Sequence, residues 1–261
     1  MKKLSDFLTV RLSSDKIRTG IILLYVALSF ISSVYSLISG SYRNALLSLG
    51  YPLLIVFAIT VFEYFVGIRF GKTFLLVFFI IPVGAMLGSC YNMYTLIPML
   101  DTVLHTVSGF VFAAFGYSLM IALLKSTDKR GAVAAILFAL AFSIGVAAVW
   151  ELLEWFMSWV AGADMHEDQI VDSFDSYLLS GTHDYAFTLD NIERTEIYYQ
   201  NGKVLTVNGY IDLGLYDTLV DMLVCCIGAV IYFIPSLIGA LTGHRTADAL
   251  SPSVALGNSS E

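Results

Sequence analysis

The chain has 261 residues, of which 57% are apolar and 13% charged, with a formal net charge of −7. That composition excludes an ordinary soluble domain, in which about a quarter of the residues carry charge. The location of the acids, ten of them within residues 162–212, argues against a nucleic-acid partner, which calls for a basic face.

Residues 1–18 form a basic leader. Leu4, Phe7, Leu8 and Leu12 recur at helical spacing among Lys2, Lys3, Arg11, Lys16 and Arg18. The pattern predicts a short amphipathic helix on the cytoplasmic leaflet, with a partly ordered leader as the alternative. The apolar run that follows is long enough to span a bilayer and ends in Ser-Leu-Ile-Ser-Gly, a poor cleavage site, so an uncleaved first span is expected.

Runs of about 20 apolar residues are what a bilayer demands, and its dry core requires such segments to be helical. Six are predicted, at 19–39, 45–67, 73–93, 97–124 and 131–161, with the sixth at 213–241. The fold class is therefore an all-α, polytopic helical bundle. Between the fifth and sixth spans, residues 162–212 form the one sizeable polar segment, with ten acids. Its first half, Asp164 to Asp172, is read as acidic and helical. In its second half, alternating β-formers flank Asn201-Gly202, the strongest short hairpin signal, so a small lid containing a β-hairpin is expected. Residues 242–261 form the tail, and their last dozen, small and polar, are expected to be disordered.

Lysine and arginine set the orientation. They cluster before the first span, in the second loop (Arg69, Lys72), in the fourth (Lys125, Lys129, Arg130) and after the last span (Arg245). The intervening loops hold only Arg43, Arg194 and Lys203. Both termini are thus expected in the cytoplasm. Cys90, Cys225 and Cys226 make no spaced framework and read as ordinary cysteines in apolar surroundings.

Six ionisable residues interrupt the apolar helices: Asp101 and His105 in the fourth, Glu151 and Glu154 in the fifth, Asp217 and Asp221 in the sixth. Each charge inside a span costs about 2.5–3.5 kcal/mol on insertion scales, so such groups mark function by default. The expected topology puts all three pairs at one level beneath the outer surface. Each pair shares a helix face, at i,i+3 or i,i+4. Interface placement or the helix dipole would explain Asp101 or Asp217 alone, but not Glu151 and Glu154 near a helix C-terminus.

Five carboxylates and one imidazole suit Mn²⁺, Fe²⁺, Mg²⁺ or Zn²⁺, with Glu151, Glu154 and Asp217 as candidate catalytic groups. A metal would activate water or polarise a substrate oxygen. Three readings follow: a metal-dependent enzyme acting on a lipid or envelope substrate, a proton- or cation-coupled transporter, and a scaffold whose polar cluster fixes helix packing. A transporter needs polar continuity to the cytoplasm, for which Ser118 and Ser143 are the few candidates. Gly109 reads as close helix packing, Trp150, Trp155 and Trp159 as an interfacial aromatic belt, and Glu63 as a snorkelling group or a partner of Arg69.

Three stretches carry a resemblance: Asp101-Thr-Val-Leu-His105-Thr-Val-Ser-Gly109, Trp150-Glu151-Leu-Leu-Glu154-Trp155, and Gly209 to Met222 with Asp217 and Asp221. On them the chain resembles the YjdF-like family of bacterial multi-pass membrane proteins, whose function is unknown. The resemblance covers about residues 95–232 and implies a place in the bacterial cytoplasmic membrane. It also supports treating the six residues as a set. Where His166 stands, the family usually has glutamine, which argues against a role for it.

Overall fold

The computed structural model describes residues 4–126, 128–162 and 164–255. Lys2, Lys3 and the last six residues of the tail, for which a basic leader and disorder were expected, lie outside the described residues. The chain divides into two units, one of residues 1–148 and 221–261, the other of residues 149–220.

The first unit begins with α1 (Leu4–Ser14) and α2 (Lys16–Ile38). Asp15 caps α2 by accepting from the Arg18 backbone N–H at 3.0 Å. Gly40, at φ +77°, reverses the chain after it, and the Gly40 and Ser41 amides close on Leu37 and Ser36. α3 (Tyr42–Val61) follows, and its last turn widens into a π-turn at Phe62–Val66. Next come β1 (Ile68–Arg69), α4 (Lys72–Tyr91), the short α5 (Met93–Leu96) and α6 (Leu100–Leu124). α7 (Lys129–Ala161) contributes its residues up to 148, and α9 (Leu215–Thr242) those from 221 onward.

Six helices among the described residues are long and apolar enough to cross a membrane, and their limits agree with the six predicted spans to within a few residues. Leu23, Leu24, Ile31, Leu53, Leu54 and Phe57 are exposed, a surface that hydrocarbon tolerates and water does not. This is a multi-pass membrane protein.

Small residues bring the helices close. Ser29, Ser32, Ser33 and Ser36 line the buried face of α2. Ser32 and Ser48 share a hydrogen bond at 2.8 Å, Ser33 donates to the Ala45 carbonyl at 2.9 Å, and Tyr91 donates to Ser32 at 2.9 Å. Between helices in lipid, where no hydrophobic force operates, close packing and such bonds supply the association. One core gathers Ala113, Ala114, Tyr117, Ile136, Ala139, Ala229 and Tyr232. A second gathers Ile22, Tyr25, Ile59, Ile68, Phe70, Leu75 and Phe79.

Glu63 departs from expectation. It sits in the π-turn and pairs not with Arg69 but with Arg18 and Arg11, both at its carboxylate within 3.0 Å. The Phe70 amide donates to the same carboxylate at 3.0 Å, and the Phe70 carbonyl accepts from both guanidinium groups. A buried carboxylate needs several donors, and the neighbouring Arg69 is exposed. The leader is thus tied into the helices through Arg11 rather than only resting on a surface.

The tail is also more ordered than its composition suggests. α10 (Thr246–Leu250) and β8 (Ser253–Val254) close the first unit, and β8 pairs antiparallel with β1. Tyr117 donates to Asp248 at 2.7 Å, Ser118 to the Pro252 carbonyl at 2.6 Å, and Tyr232 and Ser251 share a bond at 2.8 Å.

The second unit, residues 149–220, holds the last turns of α7, three strand pairs and the first turns of α9. β5 (Thr195–Tyr199) and β6 (Lys203–Val207) form the expected hairpin, with Gln200, Asn201 and Gly202 all at positive φ. Asp164–Asp172 is not helical. Its Gln169–Val171 forms β2, paired with β7 (Tyr210–Asp212) in the register Ile170↔Ile211. Like charges at i,i+4, Asp164/Asp168 and Asp168/Asp172, oppose a helix, while Ile170 and Val171 favour a paired strand. β3 (Phe174–Ser176) pairs with β4 (Phe187–Leu189), and Ser176 caps the short α8 (Tyr177–Ser180) between them.

Candidate functional site

In the first unit, two i,i+4 pairs meet: Asp101 and His105 on α6, Asp221 and Cys225 on α9. Glycine makes the meeting possible. A Cβ on Gly109 would overlap the Cys225 carbonyl, and one on Gly228 would overlap the Thr106 carbonyl. With hydrogen at both positions the helix backbones touch. Ser143 ties α7 to the same point by donating to the Gly109 carbonyl at 2.7 Å.

The close approach brings His105 Nε2 to 3.6 Å from Asp101 Oδ1 and 3.8 Å from Asp221 Oδ2. Both distances exceed the 2.7–3.2 Å of a good N–H···O bond. Donors held at about 2.0–2.2 Å by a tetrahedral ion stand about 3.3–3.6 Å apart, so each carboxylate lies within a few tenths of an ångström of the spacing it would have from Nε2 as a fellow ligand. One ligand atom from each residue lies within 4.8 Å of the other two. The Asp221 side chain is 4% exposed and Asp101 27%, so the group has a deep side and an open side. On the far side of the imidazole, Cys225 Sγ lies 3.7 Å from Nδ1 and 3.2 Å from the His105 carbonyl oxygen.

In the second unit, Glu151 and Glu154 are both buried, and His166 completes a group of ligand type with them. Its geometry differs. His166 Nε2 is 3.1 Å from the Glu151 carbonyl oxygen and 4.0 Å from Glu151 Oε2, so the ring nitrogen is engaged first by the backbone. Trp150 donates to Glu154 Oε1 at 2.7 Å. Gly214, at φ +82°, leaves room for His166, whose side chain a Cβ there would overlap. Asp217 accepts from the Glu167 backbone amide at 3.0 Å. Partial burial, then Asp164 and Asp212, raise Asp168 above the ordinary carboxylate value.

All six expected residues are therefore placed: Asp101, His105 and Asp221 together in the first unit, Glu151 and Glu154 with His166 in the second, where Asp217 holds a loop amide. Sequence reasoning set His166 aside and took Cys225 for an ordinary apolar cysteine. The second signal was legible, because Asp221 and Cys225 repeat the i,i+4 spacing of Asp101 and His105. Trp150, expected in an interfacial belt or in packing, has its indole N–H engaged by Glu154.

The family model described as "Predicted membrane protein (DUF2238)" matches residues 18–240 of the chain. No curated protein and no solved structure matches it.

Proposed function

The chain belongs to the DUF2238 family of membrane proteins, and we propose that this member is a metal-dependent enzyme. In this reading Asp101, His105 and Asp221 hold one divalent ion, of Mn²⁺, Fe²⁺, Zn²⁺ or Mg²⁺ type. The observation that carries it is the imidazole nitrogen standing between two carboxylates at near-ligand distances. Three protein ligands leave a coordination position open for water or substrate, as catalytic sites do. The ion would lower the pKa of that water or polarise a substrate oxygen.

The substrate class is a lipid or envelope molecule reached from the bilayer. The lysine and arginine bias supports an orientation with both termini in the cytoplasm and the site near the outer leaflet, and the family resemblance supports a bacterial cytoplasmic membrane. Glu151, Glu154 and Asp217 are proposed as further ligands or proton acceptors within their own unit.

The transporter reading draws less support. Ser118 and Ser143, the polar residues named for a path, are each bonded to a backbone carbonyl between packed segments.

Reconstitution separates the two. Protein in vesicles of phosphatidylethanolamine and phosphatidylglycerol is incubated with each of the four metals. Product is followed by lipid mass spectrometry, and ion movement by an internal pH dye. Metal-dependent lipid product that disappears in Asp221→Asn is expected. Metal- or pH-driven flux without product would overturn the enzyme reading in favour of transport.

A further inference from the structure

The ring of His105 has two nitrogens, and only one faces the carboxylates. For Nε2 to bind a cation, it must carry a lone pair, so in the neutral ring the proton must sit on Nδ1. A group facing Nδ1 that accepts its N–H favours that tautomer. The group facing it is Cys225 Sγ, at 3.7 Å.

We infer that Cys225 is a positioning residue, whose sulfur holds His105 in the Nδ1–H tautomer and so aims the Nε2 lone pair between Asp101 and Asp221. The thiol has one proton to give. Its nearer acceptor is the His105 carbonyl oxygen at 3.2 Å, one helix over. With the S–H directed there, the sulfur presents lone pairs to Nδ1, and sulfur is a weak acceptor that an N–H can use. The opposite tautomer would set the Nδ1 lone pair against those of sulfur and would leave Nε2 with a proton where the cation needs a lone pair. Metal-binding histidines commonly have their other nitrogen fixed in this way, by a carboxylate, carbonyl or water. Here a thiol does it.

The backbone keeps the sulfur in place. Cys225 is 4% exposed, and its own carbonyl packs on Gly109, four residues after His105. The α6–α9 contact that sets the Asp221 distance therefore sets the sulfur distance too. The two i,i+4 pairs act as one device: one residue of each supplies a carboxylate, and the others supply the ring and its orienting partner.

This inference rests on the metal reading for its purpose but not for its test. Full-length protein labelled with ¹⁵N-histidine, metal-free in detergent at a pH of about 8, where a neutral ring is the reference form, reports tautomers through ¹⁵N–¹H couplings. His105→Gln identifies the His105 signal among those of the four histidines. Wild type is expected to show Nδ1–H, and Cys225→Ser, which keeps a donor and an acceptor, the same. Cys225→Ala is expected to show mixed tautomers and to bind Zn²⁺ about 10–100-fold more weakly, the usual loss when such an orienting partner is removed.

Nε2–H or a doubly protonated ring in wild type would overturn the inference. So would an unchanged tautomer and affinity in Cys225→Ala, or a sulfur-to-metal charge-transfer band with Co²⁺, which would make Cys225 a ligand. If wild type shows Nδ1–H but binds no metal, the metal reading fails while the positioning stands. If metal binds and is lost in Asp221→Asn, yet Cys225→Ala changes nothing, the positioning fails alone.

Discussion

Glu63→Gln is expected to destabilise the protein by about 3–5 kcal/mol, the usual cost of removing one partner from a buried ion pair. The carboxylate is almost wholly buried, as is Arg18, and it is the shared acceptor for Arg18 and Arg11. The amide would leave a buried guanidinium uncompensated and would turn one acceptor atom into a donor facing donors. Denaturant unfolding in micelles measures the loss. Arg11→Gln should cost much less, about 1 kcal/mol, because Arg11 is partly exposed and its charge is screened. Replacing Glu63 and Arg18 together by methionine should recover most of the stability, since a buried pair exchanged for apolar groups is often neutral. A Glu63→Gln protein as stable as wild type would mean that the π-turn does not depend on this pairing.

Gly228→Val is expected to do the second-largest damage, and to the site more than to the fold. The new Cβ would overlap the Thr106 carbonyl, so α6 and α9 must separate. Overpacking of this kind costs about 1–3 kcal/mol. Separating the helices moves Asp221 away from the His105 and Asp101 groups it would have to meet at a shared ion. Zn²⁺ affinity should fall at least about tenfold, as for other losses of ligand orientation. Gly145→Ala on α7 is the control. Nothing lies within 4 Å of a Cβ there, and alanine is the better helix former by about 1 kcal/mol. It should bind metal as wild type does. Equal binding by Gly228→Val would show that the glycine contact does not set the ligand distances.

Several of these features were legible in the sequence, and for physical reasons. A bilayer fixes the length and polarity of each span, so the six helices could be read from composition alone. Asn201-Gly202 marked the hairpin because few residues other than glycine and asparagine take positive φ. Asp101, His105 and Asp221 stood out because an ionisable group in an apolar helix is costly.

What could not be read depends on non-local pairing. Arg69 is the cation nearest Glu63 in sequence, yet the structure selects Arg18 and Arg11, 45 and 52 residues away. The acidic stretch before Asp172 looked helical by itself, and only the later Tyr210–Asp212 makes part of it a strand. The tail is ordered because Ser253 and Val254 find β1, about 185 residues earlier in the chain. Cys225 could have been suspected from its spacing to Asp221, but only the α6–α9 contact turns its sulfur towards Nδ1.

Elemental analysis of purified protein by plasma mass spectrometry, beside Asp221→Asn, tests the metal site most directly. About one divalent metal ion per chain in wild type, as three ligands closing on one ion require, and its loss in a variant that still folds, is the expected result. A folded wild-type protein that binds no metal, even after incubation with Mn²⁺, Fe²⁺, Zn²⁺ and Mg²⁺, would contradict the account, as would a metal content that Asp221→Asn leaves unchanged.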